Sequence, residues 1–238
     1  MFSHETIFHN QQRFKPYLND HDFLFKVSAE ECIASLTESN LTPTSVLVLG
    51  YFPLSDTLKQ LYPNATIDTY PQFTPVIPTQ TNYDLIISIG QFQYINDPTD
   101  YLKTLYSILN QNGLFYGIFP GEDSLKELHA ALIKAEMVLT KGAAQRIIPM
   151  ISASDTLQLI QLAKFSNPLV HVVSIELQHD SIFELINDLR HMGASNPLVD
   201  RTKLFAPKKL FSLADHHLKR KHNCVETTID LVVMMGQK

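Results

Sequence analysis

The sequence predicts an α/β fold built on a mostly parallel sheet, and two observations carry that prediction. Short apolar runs of buried-strand type recur in the first half of the chain, at residues 46–50 and 83–90. Between such runs lie segments of helical periodicity, as at Leu102, Leu105 and Leu109, whose spacings place them on one face of a helix. Alternation of strands and helices with short connections is typical of a parallel sheet covered by helices.

The remaining elements follow from the same patterns. Helical segments at residues 7–17 and 22–39 come first, and we expect them to cover the sheet. The predicted strands are residues 46–50, 66–70, 83–90, 114–119, 168–177 and 227–235. The predicted helices are residues 54–62, 102–109, 125–139, 154–164, 182–189 and 207–220.

Composition indicates one globular protein without a nucleic-acid or membrane-spanning role. The chain has 238 residues, of which 45% are apolar, and its net charge is −5. Residues 201–222 are locally basic, which is typical of a solvated helix face and less often of a docking patch for an acidic partner. No apolar run approaches bilayer length, and the first residues carry no signal-peptide pattern, so we expect a cytoplasmic location.

Cysteine and histidine spacings do not predict a metal site. Cys32 and Cys224 lie far apart without a C-x-x-C pattern, and we interpret both as buried small apolar residues. The ten histidines show no metal-ligand spacing, and no Ser/His/Asp or Cys/His nucleophile set can be argued. Hydrolase and metalloenzyme functions therefore have little support, and the catalytic residues stay unknown.

The turn after the first strand is the most informative feature of the chain. An apolar strand that ends in glycine and leads into a helix is how nucleotide-binding folds present backbone N–H groups to a ligand. Gly50 ends such a strand here, but Phe52 and Leu54 stand where further glycines would let a ligand approach. The pattern has the form of a cofactor turn without most of its glycines.

Motifs further along the chain carry a family resemblance. Residues 84–88 (DLIIS), 94–98 (YINDP) and 109–115 (LNQNGLF) resemble the half of a class I S-adenosylmethionine (SAM) methyltransferase that follows the cofactor turn. Three further blocks are similar to one branch of that superfamily: residues 121–128 with Ala135 and Glu136, residues 146–149, and residues 188–196. That branch contains the malonyl-acyl-carrier-protein methyltransferase of biotin synthesis and the respiratory complex I assembly factor that hydroxylates an arginine. The assembly-factor side is the closer match, from about residue 7 to the end of the sequence.

This resemblance implies a Rossmann-like fold in which successive segments of the chain have different roles. We expect a single domain over residues 1–238, with a final antiparallel strand at residues 227–235. Residues 1–42 would form a helical cover, residues 43–120 the cofactor half, and residues 121–238 the half that meets a substrate or partner. The implied substrate is a protein or an acyl-carrier-bound group.

Departures from the family pattern concentrate at the cofactor site. Where the family has an acidic residue and three glycines, this chain has Val48, Gly50, Phe52 and Leu54. The connection from residue 71 to residue 82 is too short for a third strand with two flanking helices, so the fold is predicted to be trimmed there. Asp68 is the one nearby acid that could reach a ribose, although a structural role within the strand is the alternative.

The resemblance and the chemistry of the side chains together nominate two sets of site residues. The predicted cofactor-binding residues are Gly50, Tyr51, Phe52, Asp68, Gln91 and Phe92. The predicted substrate or partner residues are Tyr94, Asp123, Arg146, Arg190, Met192 and Asn196.

Structural alternatives stay open for most of the partner residues. Asp123, together with Ser124, could cap the helix that follows instead of binding a ligand. Arg146 and Arg190 could each form an ion pair instead of recognising a carboxylate. Phe92 and Tyr94 could pack in the core instead of lining a pocket.

Two functions are compatible with these observations. The first is a SAM-dependent enzyme acting on a protein or carrier-bound group, because methyl transfer needs mostly positioning and tolerates missing acid–base residues. The second is a pseudoenzyme that keeps the fold as an assembly or interaction module. The separate losses at the glycine turn and at the 71–82 connection favour weak or absent SAM binding.

Overall fold

The computed structural model describes residues 1–50, 53–71, 82–140, 142–201, 207–219 and 224–238. Its strands form one six-stranded sheet in the order β2-β1-β3-β4-β6-β5. The strands are β1 (Ser45–Gly50), β2 (Thr66–Pro71), β3 (Tyr83–Ile89), β4 (Leu109–Pro120), β5 (Ser166–His179) and β6 (Val225–Gln237). The helices are α1 (His4–Phe14), α2 (Phe23–Glu38), α3 (Leu54–Leu61), α4 (Pro98–Ile108), α5 (Lys126–Thr140), α6 (Ala153–Leu162), α7 (Ile182–His191) and α8 (Lys208–Leu218).

The sheet confirms the predicted α/β architecture. β1 pairs in parallel with both β2 and β3, and β3 pairs in parallel with β4. β6 runs antiparallel to β4, from the pair Leu114 and Gln237 to the pair Pro120 and Leu231. In the part of the chain that the structure describes, β2 is the outermost strand on its side, which agrees with the predicted trimming.

Contacts between Cα atoms divide the chain into two compact units. Unit 1 contains residues 1–22, 122–150 and 174–230, and unit 2 contains residues 23–121, 151–173 and 231–238. All six strands contribute residues to unit 2, whereas residues 174–179 of β5 and 225–230 of β6 are counted with unit 1. The described members of the predicted cofactor set, Gly50, Asp68, Gln91 and Phe92, belong to unit 2, and the predicted partner residues, Tyr94 apart, belong to unit 1.

Unit 2 is organised around its central strands. β1 and β3 are almost entirely buried, as expected for parallel strands covered on both faces. The core around them includes Leu47, Leu49, Ile86, Phe115 and Phe119. Helix α2 packs against β3 and β4.

Asp84 fixes the amino-terminal end of the parallel strands. Its carboxylate accepts hydrogen bonds from the backbone N–H groups of Thr44 (2.8 Å) and Ser45 (3.1 Å), from both of their hydroxyls, and from Asn110 Nδ2 (2.7 Å). Burial alone raises the pKa of this carboxyl, but the hydrogen bonds from Asn110, Thr44 and Ser45 outweigh it and bring the pKa to about 2. One charged side chain therefore ties β1, β3 and β4 together.

β4 begins earlier than the sequence pattern indicated. Pairing with β3 already occurs at Leu109, and the register then shifts so that the next pair joins Leu85 to Leu114. The intervening residues form an irregularity in which Asn112 has a positive φ of 64°. Gly113 has no room for a side chain, because a Cβ there would lie 2.9 Å from the carbonyl oxygen of Asn110. Helix α4 does end before residues 110–113, as predicted, but those residues lie within β4 instead of forming a loop before it.

Candidate functional site

Gly50 stands at the carboxyl end of β1, where the sequence placed a cofactor turn. Its φ is 101°, and a Cβ at this position would overlap the carbonyl oxygen of Ile89 on β3. A residue with a side chain would be strained there on both counts. The sheet itself therefore requires this glycine, whatever ligand it meets.

The turn beyond Gly50 is described only in part. Tyr51 and Phe52, which the sequence nominated as cofactor residues, lie outside the described residues, as do residues 72–81 of the connection after β2. Leu54 is described and is the first residue of α3. Its side chain is only 2% exposed, so the position of a family glycine is filled by a residue packed into the protein.

Asp68 lies in the middle of β2. It pairs in register with Leu47, whereas Gly50 pairs with Pro71, so Asp68 is three residues, roughly 10 Å, short of the carboxyl edge. Its carboxylate accepts a hydrogen bond from the hydroxyl of Tyr83, at 2.9 Å. The geometry favours the structural alternative for Asp68.

The residues after β3 pack inwards. Phe92 is buried, with its ring centroid 4.8 Å from that of Phe119, and Gln91 is a buried amide whose Oε1 accepts a hydrogen bond from Tyr101 at 3.3 Å. Tyr94 is also buried, and burial raises its pKa to about 12 against a smaller opposing effect of a hydrogen bond with Gln93. These side chains therefore serve the core of unit 2.

A SAM molecule in this fold needs a polar group at the end of β2 to hold the ribose. β2 instead ends at Pro71. Of the residues described at this strand end, Pro71 has no polar side-chain group, and Asp68 lies three residues before it with Oδ2 bonded to Tyr83. Among the described residues there is also no group of three or more His, Cys, Asp or Glu side chains that could hold a metal ion.

Arg146 forms an ion pair inside unit 1. Its Nε and Nη2 atoms both lie 2.6 Å from Oε1 of Glu136, and the two side chains are 20% and 5% exposed. Glu136 Oε2 also accepts a hydrogen bond from the backbone N–H of Ala144. Of the two alternatives for Arg146, the structure therefore shows the ion pair.

Asn196 meets the same segment from the other side. Its Nδ2 donates to the carbonyl oxygens of Gln145 (2.8 Å) and Arg146 (3.2 Å), and its Oδ1 accepts from the N–H of Leu198. Arg201 Nη1 donates in turn to the carbonyl oxygen of Asn196, at 2.6 Å. The structure thus brings together two of the residues that the sequence predicted as a partner surface.

The other partner residues are placed differently. Met192 is buried at the end of α7, where its N–H donates to the carbonyl oxygen of Asp188. Arg190 and Asp123 are exposed, and neither side chain forms a hydrogen bond or ion pair within the described chain. No hydrogen bond joins these two residues to Arg146 and Asn196, so their membership of one partner surface stays a prediction.

The capping role considered for Asp123 and Ser124 is wrong. α5 begins at Lys126, two residues beyond Ser124, and Leu125 has a positive φ of 59°. The Ser124 hydroxyl instead donates to the carbonyl oxygen of Asp230 and accepts from its N–H, both at 3.1 Å. The Ser124 hydroxyl thus satisfies backbone N–H and C=O groups of β6, where we had expected it to satisfy N–H groups at the start of α5.

A cluster of histidines around Asp188 escaped the sequence reasoning. The Asp188 carboxylate lies 2.9 Å from Nδ1 of His21 and 3.0 Å from Nε2 of His179. The His191 ring stacks 4.2 Å from that of His21 and 4.9 Å from that of Tyr17. His179 and His191 lie within nine residues of Asp188, but His21 is 167 residues away, so no spacing signal in the sequence joins all four residues.

Comparison with curated proteins finds relatives of two kinds. A Rickettsia prowazekii protein assigned as a methyltransferase is 32% identical over 151 residues, which are 63% of this chain and 65% of that protein. The mitochondrial arginine hydroxylase NDUFAF5 of Homo sapiens is 28% identical over 162 residues, 67% of this chain and 47% of that protein. Malonyl-[acyl-carrier protein] O-methyltransferase 1 of Coxiella burnetii is 26% identical over 132 residues, 56% of this chain and 44% of that protein. Each matched segment spans less than two thirds of the relative's own length.

Solved structures support the same fold. A protein from Bacillus halodurans assigned as a methyltransferase superposes with a TM-score of 0.51, covering 85% of this chain and 96% of that chain. The YcgJ protein of Bacillus subtilis gives a TM-score of 0.50 over 86% of this chain and 96% of its own. Both are 10% identical to this chain, so these likenesses establish the fold alone. No protein-family model matches the sequence.

Proposed function

The chain is a member of the class I SAM-dependent methyltransferase superfamily, and from that premise we propose that it acts on a protein or carrier-bound group while binding SAM weakly or not at all. The substrate class rests on the relatives. One is named for an acyl-carrier-bound malonyl group and another for the hydroxylation of arginine. Their activities are the reason to look for a protein-borne substrate here.

The observation that carries the weak-cofactor half of the proposal is the hydrogen bond between Tyr83 and Asp68. Asp68 is the acidic residue that the sequence nominated to bind the ribose of SAM, and this hydrogen bond holds its carboxylate in the middle of β2. Reaching the strand edge would require Asp68 to break a charge-assisted hydrogen bond, worth roughly 1.5–3 kcal/mol, and to span roughly 10 Å. The buried Leu54 adds an independent obstacle at the glycine turn.

A non-catalytic interaction module is the second candidate. The observation that favours it is the pair of exposed charged side chains, Arg190 and Asp123, which have no partner within the described residues of unit 1. Charged groups that neither cap a helix nor close an ion pair are available to another molecule. This candidate shares the fold and differs from the first in lacking turnover.

Calorimetry with SAM and with S-adenosylhomocysteine tests the cofactor half directly. We expect no binding tighter than about 1 mM, since the ribose acceptor and two turn glycines are missing. Phe52→Gly alone should not restore affinity, because Asp68 and Leu54 are unchanged in that variant. Micromolar binding to the unmodified protein would overturn the proposal.

The substrate half needs a separate measurement. Purified malonyl-acyl-carrier protein, incubated with the chain and methyl-labelled SAM, reports transfer as label on the carrier. Label above a heat-inactivated control would select the enzyme. Stable binding of a protein without label would select the interaction module, and the absence of both would contradict a protein-borne substrate.

A further inference from the structure

Helix α7 of unit 1 exposes one face to solvent along its whole length. Ile182 and Leu185 are buried on the opposite side, which is the arrangement of an amphipathic helix packed on its own unit. The exposed side chains of α7 are those of Phe183, Glu184, Asn187 and Arg190. With 3.6 residues per turn, these four positions fall within about 120° of one another, near Asn187. We call this surface the α7 outer face.

An exposed aromatic side chain lies at each end of the α7 outer face. At its start, Phe183 is 46% exposed, and its ring centroid lies 6.2 Å from that of Phe211 on α8. At its end, Tyr17 is 50% exposed, and its ring centroid lies 4.9 Å from that of His191, the last residue of α7. Exposed aromatic rings grouped on one surface are typical of protein interfaces.

The two ends of the α7 outer face carry opposite charges. Glu184, in the first turn, accepts a hydrogen bond from the N–H of Asp180, a neutral donor, so it keeps its negative charge. Arg190, in the last turn, forms no side-chain hydrogen bond or ion pair with the described residues. Asp188 of α7 and Asp215 of α8 are instead bound to groups of unit 1 itself. The face is therefore negative at its start and positive at its end.

We propose that the α7 outer face is the contact between two copies of this chain, packed antiparallel about a two-fold axis at Asn187. Glu184 and Arg190 each lie three residues from Asn187, on opposite sides of it. The axis therefore places Glu184 of one copy opposite Arg190 of the second copy. Because a two-fold contact is self-complementary, this ion pair forms twice.

The same axis also matches the aromatic ends of the face. Phe183 and His191 each lie four residues from Asn187, so Phe183 of one copy meets His191 of the second copy, against which Tyr17 packs. Rings that are half exposed in the single chain are thereby covered. One helix face is smaller than a standard interface of roughly 1,600 Å², so we expect a weak dimer with a dissociation constant on the order of 100 μM.

Sedimentation equilibrium of the full chain, over roughly 10 to 500 μM, measures this dissociation constant. Arg190→Glu should raise it at least about tenfold, because two like charges then face each other at both ends of the contact. Lys126→Glu makes the same change at another exposed cation of unit 1 and should leave the constant within about twofold. Circular dichroism of each variant verifies that the chain is folded.

A charge exchange gives the sharpest test of the antiparallel register. Glu184→Arg alone should also raise the dissociation constant at least about tenfold, whereas Glu184→Arg combined with Arg190→Glu should return it to within about threefold of the unmodified value. Side chains six positions apart on one helix are not neighbours, so the two exchanged residues do not meet within a chain. Recovery in the double variant can therefore arise only between two molecules.

The aromatic part of the contact is tested separately. Phe183→Ala should raise the dissociation constant about tenfold, because the phenyl ring is removed at both ends of the contact. Phe8→Ala removes an equally exposed ring from α1 and should leave the constant within about twofold. Both variants truncate exposed side chains, so both should fold.

Four results would overturn the proposal. They are a chain that stays monomeric up to about 500 μM, a dimer unaffected by Arg190→Glu, a double charge-exchange variant as weak as Arg190→Glu alone, and equal weakening by Phe183→Ala and Phe8→Ala. Sedimentation needs neither SAM nor a carrier protein. This proposal and the proposed function therefore fail separately.

Discussion

Arg146 and Glu136 form a buried ion pair within unit 1, with Nη2 of the arginine 2.6 Å from Oε1 of the glutamate. The pair holds the segment after α5, because Glu136 also binds the N–H of Ala144 while Asn196 binds the carbonyl of Arg146. Arg146, which the sequence nominated as a substrate or partner residue, therefore has a structural role within unit 1.

We expect Arg146→Ala to lower the free energy of unfolding by about 3 kcal/mol, because Glu136 would remain as an uncompensated buried carboxylate. Urea denaturation followed by circular dichroism measures the change. Arg190→Ala is the matched control and should stay within about 0.5 kcal/mol of the unmodified protein, since Arg190 is exposed and unpaired among the described residues. Equal midpoints for the two variants would show that the ion pair contributes nothing.

Arg190→Ala should weaken partner binding while leaving the free energy of unfolding nearly unchanged. If Arg190 meets a protein partner, its removal should weaken that complex by on the order of 1.5–3 kcal/mol, the value of a charged hydrogen bond. Lys126→Ala removes another exposed, unpaired cation of unit 1 and is the control. Affinity for the partner is measured by calorimetry or surface plasmon resonance. A large fall in melting temperature with unchanged affinity would identify Arg190 as a structural residue.

Gly50→Ala should destabilise the protein whether or not any cofactor binds. The positive φ and the overlap with the Ile89 carbonyl together should cost at least about 2 kcal/mol. Gly142→Ala is the control, because a Cβ at Gly142 meets no atom within 4 Å. Both variants are compared by chemical denaturation without added ligand. A Gly50→Ala protein as stable as the Gly142→Ala protein would mean that the strand end is free to move.

Asp84 predicts a specific dependence of stability on pH. Its folded-state pKa of about 2 lies below the ordinary value of 3.8, so its contribution is complete above that ordinary value and is lost as pH falls through about 2. After discounting for solvent screening, the contribution is about 1–2 kcal/mol. Asp84→Asn should therefore be less stable than the unmodified protein at pH 7, and the difference should shrink between pH 4 and pH 2.

A matched control separates Asp84 from acid denaturation in general. Asp56→Asn removes a carboxylate that is 82% exposed and pairs with Lys59 at the surface. That change should leave the pH profile of the unfolding free energy nearly unaltered. Parallel profiles for the two variants would contradict the assignment to Asp84.

The parallel strands could be predicted because their signal is local. The runs at Val46 and Leu85 are apolar on both faces, a pattern that fits a covered parallel strand and few other elements. A strand was predicted to follow Pro168, and β5 is that strand, although it begins earlier, at Ser166, and contains the proline. β5 is the outermost strand, where a missing N–H is tolerated. Element type and approximate position were therefore available from the sequence.

The roles of polar residues could not be predicted in the same way. The partner of Ser124 is the backbone of Asp230, 106 residues away, and one partner of Asp188 is His21, 167 residues away. Local reasoning offered helix capping for Ser124 because that is the commonest local use of such a side chain. Gly50 was interpreted through a ligand, whereas the contact that requires it is the Ile89 carbonyl on a neighbouring strand.

The antiparallel pairing of β4 with β6 has a consequence for biosynthesis. During translation β4 leaves the ribosome long before β6, which supplies the partner for one complete edge, from Leu114 to Pro120. Until then the nascent chain carries an unpaired, apolar central strand, the kind of edge that recruits other strands. Chains interrupted before β6 should accumulate as aggregates and depend on chaperones, whereas release of the finished chain closes the ladder within the same molecule.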